Sequence, residues 1–270
     1  MKRLVTVSIF TLLLVLMGQF SFAAEQQEKP PENASNPLAA VNNTDVRVQY
    51  FDLGDDAERY DFYVFDGSYM VNPKLKLKYE LHYWNTDITG SSEKDWESFH
   101  LKPIYFAKQG IWGQLKYRLA VGFEWIYDFD NAEKGIGSGS DQLAPLAGIA
   151  LVNDTGLVLV PLIQHFMEYD GPDVNTTAFR LIGIQSLPKQ MWIKLDAKLP
   201  VDWENDNEIP ATVEVQLGKT FSPAIGAYVD GLLGIGHTIG AWGLEYVLSI
   251  DTAIFYCTGN AIRMLPEKMG

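Results

Sequence analysis

The chain has 270 residues, of which 47% are hydrophobic and 13% are aromatic, and it carries a formal net charge of −13. This composition excludes a globally disordered chain, and the acidic balance disfavours nucleic-acid binding, which requires a basic face. The single cysteine excludes an intramolecular disulfide framework, and a mean hydropathy near zero excludes a bundle of membrane-spanning helices but not a β-barrel.

The first 23 residues predict a cleaved secretory signal peptide. Basic Lys2 and Arg3 precede a nearly unbroken apolar run over residues 4–17, and small residues near its end allow cleavage after Ala23. An uncleaved anchor helix is the alternative. Residues 24–45 are rich in proline and asparagine without periodicity, so we expect a flexible N-terminal segment in the exported protein.

The rest of the chain, from about Val46, alternates between apolar and polar side chains with the period of a β-strand. The clearest run, residues 115–128, places large apolar side chains on one face and mostly charged or small ones on the other. It is longer than the ~5–6 residues of a typical globular strand and exceeds the ~9–11 residues that cross a bilayer. Twelve candidate strands result, at residues 46–52, 60–71, 75–84, 97–106, 114–127, 143–152, 156–169, 176–185, 191–199, 211–218, 224–233 and 241–253.

The connections between these strands alternate between short and long. The short ones are residues 72–74, 107–110, 153–155, 187–190 and 219–223, and the long ones are 52–59, 85–95, 128–140, 170–175 and 202–209. The long connections are acidic, whereas the short ones tend to carry a lysine. Tight periplasmic turns and longer external loops are typical of outer-membrane barrels, so length and charge together assign the two sets to opposite sides of a membrane.

These patterns predict an all-β fold: a transmembrane antiparallel up-and-down β-barrel of about twelve strands over residues 46–255, followed by a tail over residues 256–270. A closed sheet is the only arrangement of strands that satisfies every backbone group in hydrocarbon. Aromatic side chains near the strand ends agree with the membrane interfaces of such barrels. A secreted β-sandwich is the alternative, but many of the runs are too long for one.

If the apolar faces contact lipid, the alternate residues line the lumen. The candidate lining and selectivity residues are Lys76, Lys78, Glu80, His100, Lys102, Lys116, Arg118, Glu124, Arg180, Lys194, Asp196, Lys198 and Glu214. Basic side chains predominate among them, and rings of lysine and arginine favour anions in a pore. We therefore expect a narrow channel for small anionic or polar solutes, unless a loop or the N-terminus plugs it. A ladder of ion pairs that only stabilises the interior is the alternative.

Candidate catalytic and metal-binding residues are sparse. The four histidines occur in neither a His-x-Ser nor a metal-ligand spacing, and no Gly-x-Ser-x-Gly motif occurs. His165 is the histidine that an enzyme hypothesis would test first. The glycine-rich run at residues 135–140 lacks the Lys-Ser/Thr ending of a phosphate loop, and the alternating acids at 202–208 do not complete an EF-hand. We expect no catalytic residue, no metal site and no cofactor.

Residues 192–196, the loop at 203–207 and the run at 210–219, followed by a glycine-rich strand pair, resemble bacterial outer-membrane porins and, loosely, the transporter family associated with meta-pathway phenol degradation. The resemblance covers about residues 45–250 and implies passive uptake of small solutes, including aromatic ones. It implies a lipid bilayer with lipopolysaccharide, small-molecule solutes and the barrel assembly machinery as partners, and no nucleic acid. The tail departs from this pattern because it neither alternates nor ends in the aromatic residue that the machinery reads, which leaves the register of the last strand open.

Three functions follow as alternatives. A passive outer-membrane channel predicts an open lumen and ion conductance. A barrel-embedded lipid-modifying enzyme predicts an activity that is lost when one histidine is changed. A structural or adhesive barrel that acts through its acidic external loops predicts a plugged lumen and loop-dependent binding.

Overall fold

Twelve antiparallel strands form a closed barrel in the computed structural model, which describes residues 36–54, 57–205, 207–222, 225–235 and 248–256. Each strand pairs with its neighbours in the sequence, and the first strand closes the sheet by pairing with the twelfth. The strands are β1 (Asn43–Gly54), β2 (Ala57–Asn72), β3 (Leu75–Thr86), β4 (Glu93–Trp112), β5 (Leu115–Asp128), β6 (Asp141–Val152), β7 (Val158–Asp170), β8 (Asn175–Leu187), β9 (Met191–Asp202), β10 (Ala211–Ser222), β11 (Ile225–Ile235) and β12 (Leu248–Tyr256). The predicted all-β, up-and-down barrel is confirmed.

One predicted turn is wrong. Residues 107–110 were expected to form a short turn, but β4 continues to Trp112 and the chain reverses after it, where Gly113 has a φ of +62°. A register shift after Phe106 absorbs one extra residue, and the pairing with β5 then continues to the end of the hairpin. β10 likewise extends to Ser222, beyond the start of the turn predicted at 219–223.

Several predictions concern parts of the chain outside the described residues. These are the signal peptide at 1–23, the first part of the N-terminal segment at 24–35, the first part of the predicted twelfth strand at 241–247, and the tail beyond residue 256. The described part of β12 pairs with β1 from Leu248 to Tyr256.

The outer face of the barrel is apolar because the strands alternate as predicted. On β5, outward Leu119, Val121 and Phe123 are 38%, 42% and 48% exposed, whereas inward Ala120 is fully buried. Aromatic side chains gather near the end of the barrel that carries the long loops, where Trp125 donates a hydrogen bond from its indole N–H to the Tyr169 hydroxyl at 2.7 Å. No helix in the described ranges is long and apolar enough to cross a membrane.

The interior is apolar at the end of the barrel that carries the short turns. A buried cluster there takes side chains from most of the strands and from the segment before β1: Leu38, Ala40, Met70, Ile104, Phe106, Ala120, Ala150, Val160, Ile182, Ile184, Trp192 and Tyr228. Because these strands are distributed around the barrel wall, their inward side chains meet at the barrel axis. Trp192 fits inside because its ring lies across Gly218 on β10, where a Cβ atom would be 1.9 Å from the indole.

Residues 36–42, which we call the plug, lie inside this cluster rather than extending as a flexible segment. Leu38, Ala39, Ala40 and Val41 are all at most 4% exposed. Their apolar side chains fill the space that the small inward residues of the barrel leave, and burial of apolar surface stabilises this position. The sequence-based expectation of flexibility therefore fails for this stretch, because it was based on the composition of residues 24–45 as a whole.

Candidate functional site

Charged side chains form a belt around the middle of the barrel interior, between the apolar cluster and the long-loop end. Lys102 Nζ lies 2.8 Å from the Glu124 carboxylate and 3.9 Å from that of Glu80. Lys78 forms an ion pair with Glu80 and a second one with Asp66 at 3.6 Å. These contacts connect β2, β3, β4 and β5.

The second part of the belt lies on β8, β9 and β10. Arg180 donates two hydrogen bonds to the Asp196 carboxylate, from Nε at 2.7 Å and from one terminal nitrogen at 2.5 Å. Lys194 lies between Asp196 at 3.6 Å and Glu214 at 2.5 Å. The charged belt is hereafter the set Arg47, Asp66, Lys78, Glu80, Lys102, Glu124, Arg180, Lys194, Asp196 and Glu214.

The strand register places like charges opposite each other at two points of the belt, and a residue of the opposite charge lies between them at each point. Lys78 lies directly opposite Lys102, and Asp196 lies directly opposite Glu214. Like charges in such positions destabilise a sheet. Glu80 lies between the two lysines and Lys194 lies between the two carboxylates, so each repulsion is offset by an attraction. Ion pairs thus account for four of the eight lysines and arginines that the sequence assigned to the lumen: Lys78, Lys102, Arg180 and Lys194.

Two of the predicted basic residues hold the plug instead of joining the belt. Lys76 is 2% exposed and donates hydrogen bonds from Nζ to the carbonyl oxygens of Pro37 at 3.2 Å and Ala39 at 3.0 Å. Arg118 is 3% exposed and donates to the Leu38 carbonyl at 2.8 Å. Buried cations need acceptors, and the backbone of the plug supplies them.

The remaining predicted residues lie in three other places. Lys116 is partly buried near the short-turn end, opposite Val152. His100 lies directly opposite Glu80 of the belt and contacts Glu124 at 2.8 Å. Lys198 is exposed, and its Nζ lies 5.7 Å from the centre of the Phe166 ring, in a cavity of about 190 Å³ near the long-loop end.

The alternation of side chains does not identify several interior charged residues, because β-bulges change which residues face inward. On β2 a register shift between Tyr63 and Phe65 makes both Asp61 and Asp66 inward, 3% and 4% exposed, although they are an odd number of residues apart. Arg47 on β1 forms an ion pair with Asp66 at 3.8 Å. Strict alternation cannot reveal a bulge, and the only available signal was the unusual density of charge in the first two strands.

The loop between β5 and β6 folds over the long-loop end of the barrel. The Asp128 carboxylate accepts backbone hydrogen bonds from Asp130 at 2.9 Å and from Ser138 and Gly139 at 3.0 Å each. Lys134 donates to Asp95 at 2.6 Å, and this hydrogen bond raises the pKa of Lys134 above its ordinary value. The glycine-rich run at residues 135–140 is thus organised around one carboxylate.

We predict that Asp128→Ala loosens this loop. The substitution removes the acceptor of three backbone N–H groups, so residues 129–140 should be cleaved several-fold faster by an added protease at native conditions. Limited proteolysis followed by mass spectrometry measures the cleavage. Glu133→Ala, an exposed residue of the same loop, is the control, and equal cleavage of the two variants would contradict this role of Asp128.

His165 does not form a catalytic arrangement with the described residues. Its neighbour Gln164 is buried and donates to Glu124, so His165 lies on the outer face of β7. There its Nδ1 contacts the Thr177 hydroxyl at 2.9 Å, and the Trp203 indole N–H donates to the same hydroxyl at 3.0 Å. This cluster is typical of an aromatic girdle at a membrane interface.

Comparison with known proteins supports the fold. No family model matches the chain, and no curated protein matches it in sequence. Among solved structures, an outer-membrane channel from Pseudomonas putida F1 is similar with a TM-score of 0.56 at 9% identity, covering 87% of this chain and 100% of that one. The NanC porin has a TM-score of 0.54 at 13% identity, covering 80% and 100%. Outer membrane phospholipase A from Escherichia coli has a TM-score of 0.50 at 12% identity, covering 84% and 98%.

Proposed function

We propose that this protein is an outer-membrane channel for passive uptake of small polar, anionic or aromatic solutes. The observation that carries the proposal is the charged belt: a closed barrel with an apolar outer face places ten charged side chains inside. An apolar filling would stabilise a purely structural barrel at lower cost, because buried ion pairs seldom stabilise a fold more than well-packed apolar side chains. A polar interior is what a solute pathway requires.

The chemistry of the long-loop end supports the choice of solute. Lys198 and Phe166 line the same cavity, together with Thr176 and Pro200. A cation beside an aromatic ring offers electrostatic attraction to a carboxylate and stacking to a planar solute. Among the structurally similar proteins, the KdgM porin has been crystallised in complex with oligogalacturonate, at a TM-score of 0.52 and 11% identity. An anionic solute fits the exposed Lys198.

The proposal includes a closed state at the periplasmic end. The plug occupies the barrel axis there, and Lys76 and Arg118 hold its backbone. Solute passage therefore requires the plug to leave the apolar cluster. This displacement replaces the carbonyl acceptors of Lys76 and Arg118 with water. Both buried cations stay solvated when the plug leaves, which lowers the cost of opening such a gate.

The proposal favours a channel over the lipid-modifying enzyme. The similarity to the phospholipase concerns the fold alone, and His165 contacts a threonine and lies beside Met167 two residues along the same face. Placement in the outer membrane is part of the proposal and is supported by the apolar outer face and by the porin-like fold.

The test is ion conductance in planar bilayers, with refolded protein that lacks residues 1–23. We expect channels whose reversal potential in a KCl gradient shows anion preference, and we expect Lys198→Gln to reduce that preference because it removes an exposed cation from the entrance. Lys108→Gln, which changes an exposed lysine near the short-turn end, is the matched control. An absence of conductance, both in this protein and after removal of the plug, would refute the channel. An unchanged preference in Lys198→Gln would remove Lys198 from the selectivity.

A further inference from the structure

Two histidines and a glutamate that the channel proposal does not use lie together beside Glu80 and Glu124 of the belt. His82 on β3 and His100 on β4 stack with ring centres 4.7 Å apart and an angle of 12° between the rings. The potential ligand atoms of His82, Glu97 and His100 all lie within 4.8 Å of one another. Their side chains are only 10%, 14% and 17% exposed, so the group is held inside the barrel wall.

A β-bulge builds this group. The pairing of β3 with β4 shifts register between Leu81 and Tyr83, which leaves an extra residue on β4 opposite His82. Glu97 and Ser98 consequently both approach the inside, and Ser98 is fully buried. Bulges that redirect a side chain are common next to functional sites in sheets. This also explains why no metal site was evident from the spacing of the histidines along the chain.

The ring nitrogens are arranged as they are around protein-bound metals. His82 Nε2 lies 3.3 Å from Glu80, and His100 Nδ1 lies 2.8 Å from Glu124, so each ring has one nitrogen on a carboxylate. The other two nitrogens are near Glu97 and Ser98: His82 Nδ1 lies 3.4 Å from the Glu97 carboxylate, and His100 Nε2 lies 2.7 Å from the Ser98 hydroxyl. A carboxylate on the far nitrogen of a metal-binding histidine fixes its tautomer and orientation.

We propose that His82 Nδ1, His100 Nε2 and Glu97 bind a divalent transition-metal ion of the Zn²⁺ class inside the barrel. Two imidazoles and one carboxylate form a known zinc ligand set, and Ser98 or a solute supplies the fourth position. Tetrahedral ligand atoms around zinc are about 3.4 Å apart. Small side-chain rotations would bring these three atoms, which lie within 4.8 Å of one another, to that separation. Glu80 and Glu124 each lie beside the ring nitrogen that faces away from the metal position, which favours the tautomer whose other nitrogen can bind the ion. The alternative is a histidine pair held only by its carboxylates, and it predicts no metal binding.

The test measures metal binding directly and does not depend on conductance. Untagged refolded protein, stripped with EDTA, is dialysed to equilibrium against Zn²⁺, and Co²⁺ is added separately to record its visible spectrum. We expect one Zn²⁺ per chain and a Co²⁺ spectrum of a nitrogen- and oxygen-ligated site. His82→Gln and His100→Gln should each weaken Zn²⁺ binding by more than tenfold, and Glu80→Gln, which acts through His82, by about 10–100-fold.

His165→Gln is the matched control, because it removes a histidine on the outer face and should leave Zn²⁺ binding unchanged. Heat-modifiable gel mobility establishes that each variant is a folded barrel. Stoichiometric binding lost in His82→Gln and kept in His165→Gln supports the site. Absence of micromolar binding in the folded wild-type protein, or equal binding in all variants, overturns it. A barrel that binds Zn²⁺ and does not conduct, either with the plug or after its removal, refutes the proposed channel and leaves this site intact.

Discussion

Removal of residues 24–42 is expected to raise the single-channel conductance several-fold. The plug fills the barrel axis at the short-turn end, where Leu38 and Ala40 belong to the buried cluster. Without them, the small inward side chains Ala120 and Ala150 face an open space, which water can occupy. The measurement is single-channel recording of the truncated protein beside the protein that lacks only residues 1–23.

A shorter truncation provides the control for this prediction. Removal of residues 24–35 leaves the plug and its contacts with Lys76 and Arg118 in place, so the conductance should remain that of the longer protein. Lys76→Met in the longer protein should increase the fraction of time spent open, because it removes the hydrogen bonds to Pro37 and Ala39 without adding a charge. Equal conductance in both truncations would show that the plug does not close the pathway.

Glu124→Ala is expected to destabilise the barrel by about 3–5 kcal/mol, the cost of removing one partner from a buried ion pair. Glu124 is 4% exposed and holds three side chains at once: Lys102 at 2.8 Å, His100 at 2.8 Å and Gln164 at 2.5 Å. The substitution leaves Lys102 inside the barrel without its nearest carboxylate. Urea unfolding of the refolded protein in detergent or lipid measures the change in the free energy of unfolding.

The control for this effect is Glu133→Ala, which removes an exposed loop glutamate and should change the free energy of unfolding by less than about 0.5 kcal/mol. Glu124→Gln keeps hydrogen-bonding capacity and should lie between the two. A change below about 1 kcal/mol in Glu124→Ala would indicate that water in the lumen already solvates Lys102, as for an exposed ion pair. That result would contradict the interpretation that the ion pairs of the belt stabilise the fold.

The belt fits one of the two alternatives that the sequence left open for the lumen, the stabilising ladder of ion pairs. Its alternating signs fit a stabilising ladder, since Glu80 and Lys194 each lie between two charges of the opposite sign. The selectivity that we propose depends on Lys198 instead, which is exposed and lies at the entrance. The residues that hold the strands in register are thus distinct from the residue that we propose to meet the solute.

The sequence by itself determined the architecture of this protein. A period of two in side-chain polarity gives each residue a face, and alternating connection lengths give each strand a direction, so twelve strands and their order followed from local patterns. The inward set could also be predicted: Lys78, Lys102 and Arg180 have the parity that the alternation assigned to them. These are properties of short stretches of chain, which local sequence records directly.

The tertiary structure decided what contacts what inside the barrel. Arg118 binds the Leu38 carbonyl across 80 positions in the sequence, and Gln164 binds Glu124 across 40. Bulges on β2 and β4 changed the parity that the sequence predicted and brought Asp66 to the belt and Glu97 beside His82. Such contacts depend on the closed circle of strands, which brings distant residues around one axis, and on single-residue slips in register that leave no mark in the local pattern.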